Sequence, residues 1–447
     1  MKKTVALHNL GCKVNAYELE RMSEKLSNSG YTIVPFSDRA DFYIVNTCSV
    51  TNIADRKSRQ LLHRARANHP GAVIVAAGCY VDTHRESDSL AEQADILVPN
   101  EEKNNIVEIL KAWEQAHGTD TDGIDPVSDS HPDTGLSDCR HPAEGGYTRA
   151  FLKVQDGCNQ FCAYCIIPYA RGRIRSRSIE DVLSETRKFI RKGYREFILT
   201  GIHLSSYGLD RSGEGEELLT LVQRIADCPG VDRIRLSSLE PRIVTEEFAR
   251  TLSQIPALCP HFHLSLQSGS DSVLKRMNRH YTTDQYRRGV DILREFFANP
   301  AITTDIIVGF PGESQEEFEQ TRSFVEDIKF YETHIFKYSR RKGTPADRMK
   351  GQLTEAEKGN RSRILQDIDN RRRIEFADSF IGLTAREVLT EQLQVIDGQQ
   401  YLTGYTREYV RVACPASGLS PNCLLSGTIT GRLNQDTMLF CPDHSCP

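Results

Sequence analysis

Short apolar runs alternate with amphipathic stretches along the first quarter of the chain. Residues 4–8, 42–45 and 72–77 read as buried strands, whereas 15–28, 52–66 and 101–114 carry apolar positions at helical spacing. This alternation predicts a small open α/β sheet with parallel strands over residues 1–117. Residues 118–143 lose the periodicity and are rich in Asp, Gly, Pro, Ser and Thr, as expected of a linker. A central unit is predicted over 144–376, with strands at 150–155, 196–200, 232–236, 262–266, 303–308 and 333–337. Helical patterns lie between them, for example at 179–192, 284–297 and 315–328. Six such units predict a partial (β/α)6 barrel, two units short of the complete eightfold one. Thr354 and Glu357 have capping-box spacing at the head of a long helix. The texture changes again over 377–442, where 385–393, 401–405, 409–414, 424–433 and 437–440 read as short strands. Five strands with turn residues between them fit a small all-β barrel of oligonucleotide-binding type.

The chain has 447 residues, 26% of them charged and 39% hydrophobic. No apolar run is long enough for a membrane span, and the basic start Met1-Lys2-Lys3 leads into a strand, not an apolar signal region. Thirteen cysteines without such a leader are expected of a cytoplasmic chain, where thiols serve metals or catalysis. A net charge of −5 is no footprint for bulk nucleic-acid binding, so any RNA contact must rest on local basic patches.

The cysteines fall into two sets. Cys158, Cys162 and Cys165 present three thiols within eight residues, in a polar loop after the first strand of the central unit. That spacing suits a four-iron cluster with one iron left open; a structural zinc site would want a fourth ligand. Cys12, Cys48 and Cys79 each follow one of the three predicted amino-terminal strands. Parallel strands end on one edge, where open α/β sheets bind ligands, so these three could converge on a second metal. Three separate buried thiols would leave the same pattern. Cys139, Cys228, Cys259, Cys414, Cys423, Cys441 and Cys446 receive no role.

The segment Cys158-Asn-Gln-Phe-Cys-Ala-Tyr-Cys165 resembles the signature of radical S-adenosylmethionine (SAM) enzymes, in which SAM binds the open iron and is cleaved to a 5′-deoxyadenosyl radical. With the amino-terminal cysteines and the carboxyl-terminal β-barrel added, nearly the whole chain is similar to the methylthiotransferase family. Its branch acting on N6-threonylcarbamoyladenosine of tRNA is the most similar, on the segments 200–208 and 235–241. The resemblance implies a radical-SAM core flanked by a methylthiotransferase domain and a TRAM-like barrel, with two [4Fe-4S] clusters and SAM as cofactors. It further implies that Cys12, Cys48 and Cys79 hold the second cluster, which carries the sulfur to be transferred to C2 of the adenosine. Tyr164 would flank the SAM adenine. The expected partners are a tRNA anticodon stem-loop, a low-potential electron donor of flavodoxin or ferredoxin type, and a sulfur source, with no membrane.

Other expectations rest on position alone. Gly201 ends a strand and would let a cofactor approach the backbone, although a plain turn explains it as well. Gln267 and Ser268 follow the fourth strand and would face the SAM ribose or carboxylate. Glu240 suits either a bond to the substrate base or SAM, or a structural ion pair. Arg171, Arg173, Arg175 and Arg177 alternate, so on a strand they would share one face for phosphates or for solvent. Residues 404–412 match the central motif of the RNA-gripping barrel. The rival functions are aspartyl methylthiolation of a ribosomal protein and a non-catalytic iron–sulfur protein that binds RNA and senses redox state.

Overall fold

The computed structural model describes residues 3–85, 90, 92–117, 148–211, 217–416 and 418–443. The expected linker at 118–143, Cys139 and Cys446 lie outside the described residues.

The amino-terminal domain is a five-stranded, wholly parallel sheet in the order β2-β1-β3-β4-β5. Its strands are β1 (Thr4–Asn9), β2 (Thr32–Val34), β3 (Phe42–Thr47), β4 (Val73–Gly78) and β5 (Ile96–Val98). β3 and β4 are buried along their whole length because helices cover both faces. Lys13–Asn28 and Ile106–His117 close one face over Leu26, Ile44 and Val75. Asn52–Asn68 closes the other over Leu62, Tyr43 and Ile74.

The central unit carries β6 (Arg149–Lys153), the short β7 (Gln155–Asp156) and β8 (Arg175–Ser176), then β9 (Glu196–Thr200), β10 (Arg233–Leu236), β11 (His261–His263), β12 (Ala301–Val308) and β13 (Glu332–Lys337). Two parallel three-stranded sheets, β6-β9-β10 and β11-β12-β13, are joined by single bridges at Ile234↔Leu258 and Leu239↔Leu264. The expected six-unit open barrel is therefore present. Phe197, Leu199, Ile234 and Leu236 point outward into the largest apolar core, under helices such as Ile179–Arg191. The alternate residues Arg149, Glu196, Arg235, His263 and Asp305 turn into the barrel lumen, so the lumen is polar. Thr354 caps the helix Glu355–Asp378 with the reciprocal Glu357 bond read from sequence.

Five strands, β14 (Thr384–Ile396), β15 (Gln399–Tyr405), β16 (Arg411–Pro415), β17 (Leu424–Asn434) and β18 (Thr437–Pro442), close into a barrel in the order β14-β15-β16-β18-β17. This barrel plugs the amino ends of the central strands. Arg233 and Arg235 share the carboxylate of buried Glu196 and donate to the carbonyls of Tyr405, Thr406 and Arg407. Arg149 reaches Tyr409 Oη at 2.6 Å and Glu391 at 2.6 Å. The 404–412 motif thus docks the barrel on the core. Only the carboxyl-end mouth of the lumen is left to the amino-terminal domain.

Candidate active site

Cysteines 12, 48 and 79 follow β1, β3 and β4, which are neighbours in the sheet. Their carboxyl ends bring the three thiols to one spot, and Cys12 and Cys79 are charge neighbours of Cys48. Gly11 makes the approach feasible. It sits at φ +108°, and a Cβ there would lie 2.8 Å from Cys48 Sγ. Burial, with Cys79 and Cys12 alongside, pushes the Cys48 thiol up to about 12.

Cys158, Cys162 and Cys165 lie in a loop that starts at β7 and is flanked by the β7–β8 pair. Gly157 turns this loop at φ +69°, where an added Cβ would sit 1.9 Å from the Arg173 carbonyl oxygen. The Gln160 amide donates to Cys158 Sγ at 3.4 Å, and Arg279 donates to Cys162 Sγ at 3.1 Å. Burial, then Cys162, drives the Cys165 thiol to about 12. The sulfurs fit iron ligation on their own chemistry: three soft donors per site, a cation or amide aimed at two of them, and protons that a metal would displace. Among the described residues, only His263, Asp305 and His334 hold three ligand atoms within 4.8 Å of one another. Neither thiol set is drawn that tightly, as suits ligands to separate irons of one cluster.

Two buried arginines fasten the amino-terminal domain over the mouth. Arg171 donates to Cys79 Sγ at 3.3 Å, Asn15 at 2.6 Å, Glu18 at 2.8 Å and Asp156 at 3.2 Å. Lys103 and Lys153 each reach Glu18 at 2.6 Å, and Lys153 also pairs with Asp156. Arg171, Lys103, Lys153 and the more exposed Arg175 therefore face two carboxylates, and the Arg171 guanidinium also reaches the Cys79 sulfur. On the Cys48 side, Arg341 binds Asp55 at 2.6 Å and Ser49 at 2.7 Å.

The arginine stripe expected at 171–177 does not form. Arg171 ends the helix Ile167–Arg171 and is buried, Arg173 lies 4.7 Å over the Phe161 ring, Arg175 approaches Asp156, and Arg177 pairs with Glu185. Only Arg175–Ser176 is extended strand, too short for alternation to fix one face. Glu240 takes the ion-pair option: although burial opposes it, hydrogen bonds from His203 and Arg242 hold its carboxyl at about 2.

Tyr164 is half-buried beside the apolar cluster of Met277 and Phe310. Gly201 abuts Gln155, whose Oε1 would be 2.8 Å from an added Cβ. Gln267 bridges to Ile306 at φ +71°. Ser268 is fully buried with its hydroxyl on Thr321 at 3.2 Å, so in this conformation its side chain is turned away from the lumen. Sequence reasoning missed Arg279, Asn100 (3.5 Å from Cys79 Sγ), Arg341 and the cluster of His263, Asp305 and His334. Alternation along β11, β12 and β13 was the available signal for the last of these.

The radical SAM superfamily model matches residues 152–325, and the model described as uncharacterized protein family UPF0004 matches residues 4–99. The chain is 37% identical over 409 residues to the threonylcarbamoyladenosine tRNA methylthiotransferase of Bacillus subtilis, covering 92% of this chain and 90% of that one. The Thermotoga maritima protein of the same name is 38% identical over 411 residues, covering 92% and 91%. The tRNA-2-methylthio-N(6)-dimethylallyladenosine synthase of Geobacter sulfurreducens is 35% identical over 405 residues, covering 89% and 87%. Among solved structures, the radical SAM methyltransferase TsrM of Kitasatospora setae shares the fold, with a TM-score of 0.55 at 18% identity over 89% of this chain and 82% of that one. By its cysteine sites, its domain order and this identity along almost its whole length, the chain belongs to the radical SAM methylthiotransferase family.

Proposed function

We propose that this enzyme places a methylthio group on C2 of N6-threonylcarbamoyladenosine next to a tRNA anticodon. Cys158, Cys162 and Cys165 hold the cluster that binds SAM, and Cys12, Cys48 and Cys79 hold a second [4Fe-4S] cluster carrying the sulfur. The observation that carries this reading is the second thiol triad at the carboxyl edge of β1, β3 and β4, fastened by Arg171 to the helix that follows the first. When bound, the cofactors supply a carbon radical strong enough to take hydrogen from an aromatic carbon, which no side-chain base can do.

The chain's own residues shape the site. Arg279 and the Gln160 amide stabilise negative charge on the Cys162 and Cys158 sulfurs, and Arg171 does the same at Cys79. Arg171 and Arg341 fix the spacing of the two thiol sets by holding the amino-terminal domain against the core. The carboxyl-terminal barrel closes the lumen floor, so the substrate base enters from the mouth. Tyr164 and Gln267 stand where SAM would lie. The tRNA anticodon stem-loop is the acceptor, and a low-potential flavodoxin- or ferredoxin-type donor and a sulfur source complete the reaction in the cytoplasm. No helix among the described residues is long and apolar enough to cross a membrane.

Mass spectrometry of tRNA nucleosides from a deletion strain tests the assignment. The methylthio mark on threonylcarbamoyladenosine is expected to vanish and to return with the gene; an unchanged profile would remove the substrate assignment.

A further inference from the structure

Among the described residues, one cation that faces the lumen, Lys13, makes no ion pair. Lys13 follows Cys12 and opens the helix Lys13–Asn28, which is anchored on β6 through the Glu18–Lys153 pair at 2.6 Å. Its side chain is reached by water, yet its charge neighbours are Arg149, Arg235, Asp305 and Glu196. These lie on β6, β10, β12 and β9, so the ammonium faces the barrel lumen from the mouth. The other cations there are engaged: Arg149 by Glu391 and Tyr409, and Arg235 by Glu196 and two carbonyls. Among the described residues, Lys13 makes no ion pair and no side-chain hydrogen bond. A lysine in the first turn also opposes the helix dipole, so local stability does not account for it. The same lumen holds His263, Asp305 and His334, with His263 Nε2 3.2 Å from Asp305 and its ring stacked on His334. Lys13 is a charge neighbour of that Asp305, and Arg235 of the adjoining His261, so the cluster is a poor cage for a divalent cation and a good polar wall for an organic ligand.

We propose that Lys13 is a specificity-determining residue that receives the carboxylate of the threonylcarbamoyl substituent. The inference rests on the substrate reading above. That substituent ends in a carboxylate, whereas the dimethylallyl group named for the Geobacter sulfurreducens relative is apolar and offers an ammonium nothing. An ammonium facing the lumen without a close ion pair binds such an anion without first breaking one.

The test crosses a protein change with a substrate change, using reconstituted holoenzyme normalised to iron content. Wild type, Lys13→Met and Lys13→Arg are assayed on two anticodon stem-loops, one with threonylcarbamoyladenosine and one with its neutral carboxamide analogue. In wild type, removing the carboxylate charge is expected to lower kcat/KM on the order of 10- to 100-fold, mostly through KM. In Lys13→Met the same substrate change is expected to cost nothing, and Lys13→Arg is expected to recover part of the discrimination. Equal kcat/KM for both RNAs in wild type, or an undiminished penalty in Lys13→Met, would overturn the role of Lys13. If Lys13→Met does not assemble, Lys13→Gln takes its place, and an undiminished penalty in that variant overturns the role of Lys13. Failure of wild type to thiolate either RNA would instead count against the substrate reading.

Discussion

Replacing Arg171 by methionine removes the guanidinium that joins four partners across the domain junction. Met keeps most of the volume, so the loss is electrostatic. Glu18 and Asp156 remain buried, although Lys103 and Lys153 still reach them. Breaking a buried pair costs ~3–5 kcal/mol, and the two remaining lysines bring the expected loss to about 3 kcal/mol. The sequence has a single tryptophan, and Trp113 sits in the amino-terminal domain 6.1 Å from Phe42. Its fluorescence therefore reports unfolding of that domain alone. At ~1–3 kcal/mol per molar urea, the midpoint should fall by about 1–3 M. Because the guanidinium also reaches Cys79, anaerobically reconstituted Arg171→Met should lose iron selectively from the second site, and Arg171→Lys should keep more of it. A midpoint shift below about 0.3 M with unchanged iron content would refute the reasoning, since the guanidinium would then be neither a domain clamp nor a counter-charge.

Gly157→Ala places a Cβ 1.9 Å from the Arg173 carbonyl at positive φ, so the cysteine loop must move; loss of the Cys158-site iron, read by its electron paramagnetic resonance signal, is expected. Arg279→Met withdraws a donor from Cys162 Sγ and stabilises the reduced cluster less; its potential should fall by roughly 50–100 mV in a reductive titration. Asp369 is raised to about 6 by burial and the nearby Glu332 charge, while still accepting from the Thr333 amide. The folded state then holds its proton more tightly than the unfolded chain, so this group's contribution to stability falls as pH rises from ~4 through the folded value. Asp369→Asn should gain about 1–2 kcal/mol at pH 8 in thermal or urea unfolding, with the gain gone near pH 4.

Repetition in the chain made much of this architecture legible. Buried strands announced themselves as apolar runs, and the six central strands and the five of the carboxyl-terminal barrel lie where their periodicity placed them, within a few residues. β2 and β5 went unseen because three residues cannot show a period. Cysteines 158, 162 and 165 were visible because their ligand spacing is local. The convergence of Cys12, Cys48 and Cys79 needed the sheet order, which places β1, β3 and β4 side by side. Arg171 was misread because its partners Cys79 and Glu18 are 92 and 153 residues away in the chain. The docking role of the 404–412 motif was likewise invisible until the fold supplied Arg149, Arg233 and Arg235 beneath it.

The central claim is that two three-thiolate sites on one chain each hold a cluster, and that only the Cys158 site is needed to cleave SAM. Anaerobic reconstitution of wild type and Cys48→Ala, with iron, 5′-deoxyadenosine and methylthio product measured together, tests it most directly. The account predicts about eight irons in wild type and about four in the variant, which should still form 5′-deoxyadenosine but yield no methylthiolated RNA. About four irons in wild type, or normal thiolation by Cys48→Ala, would contradict it.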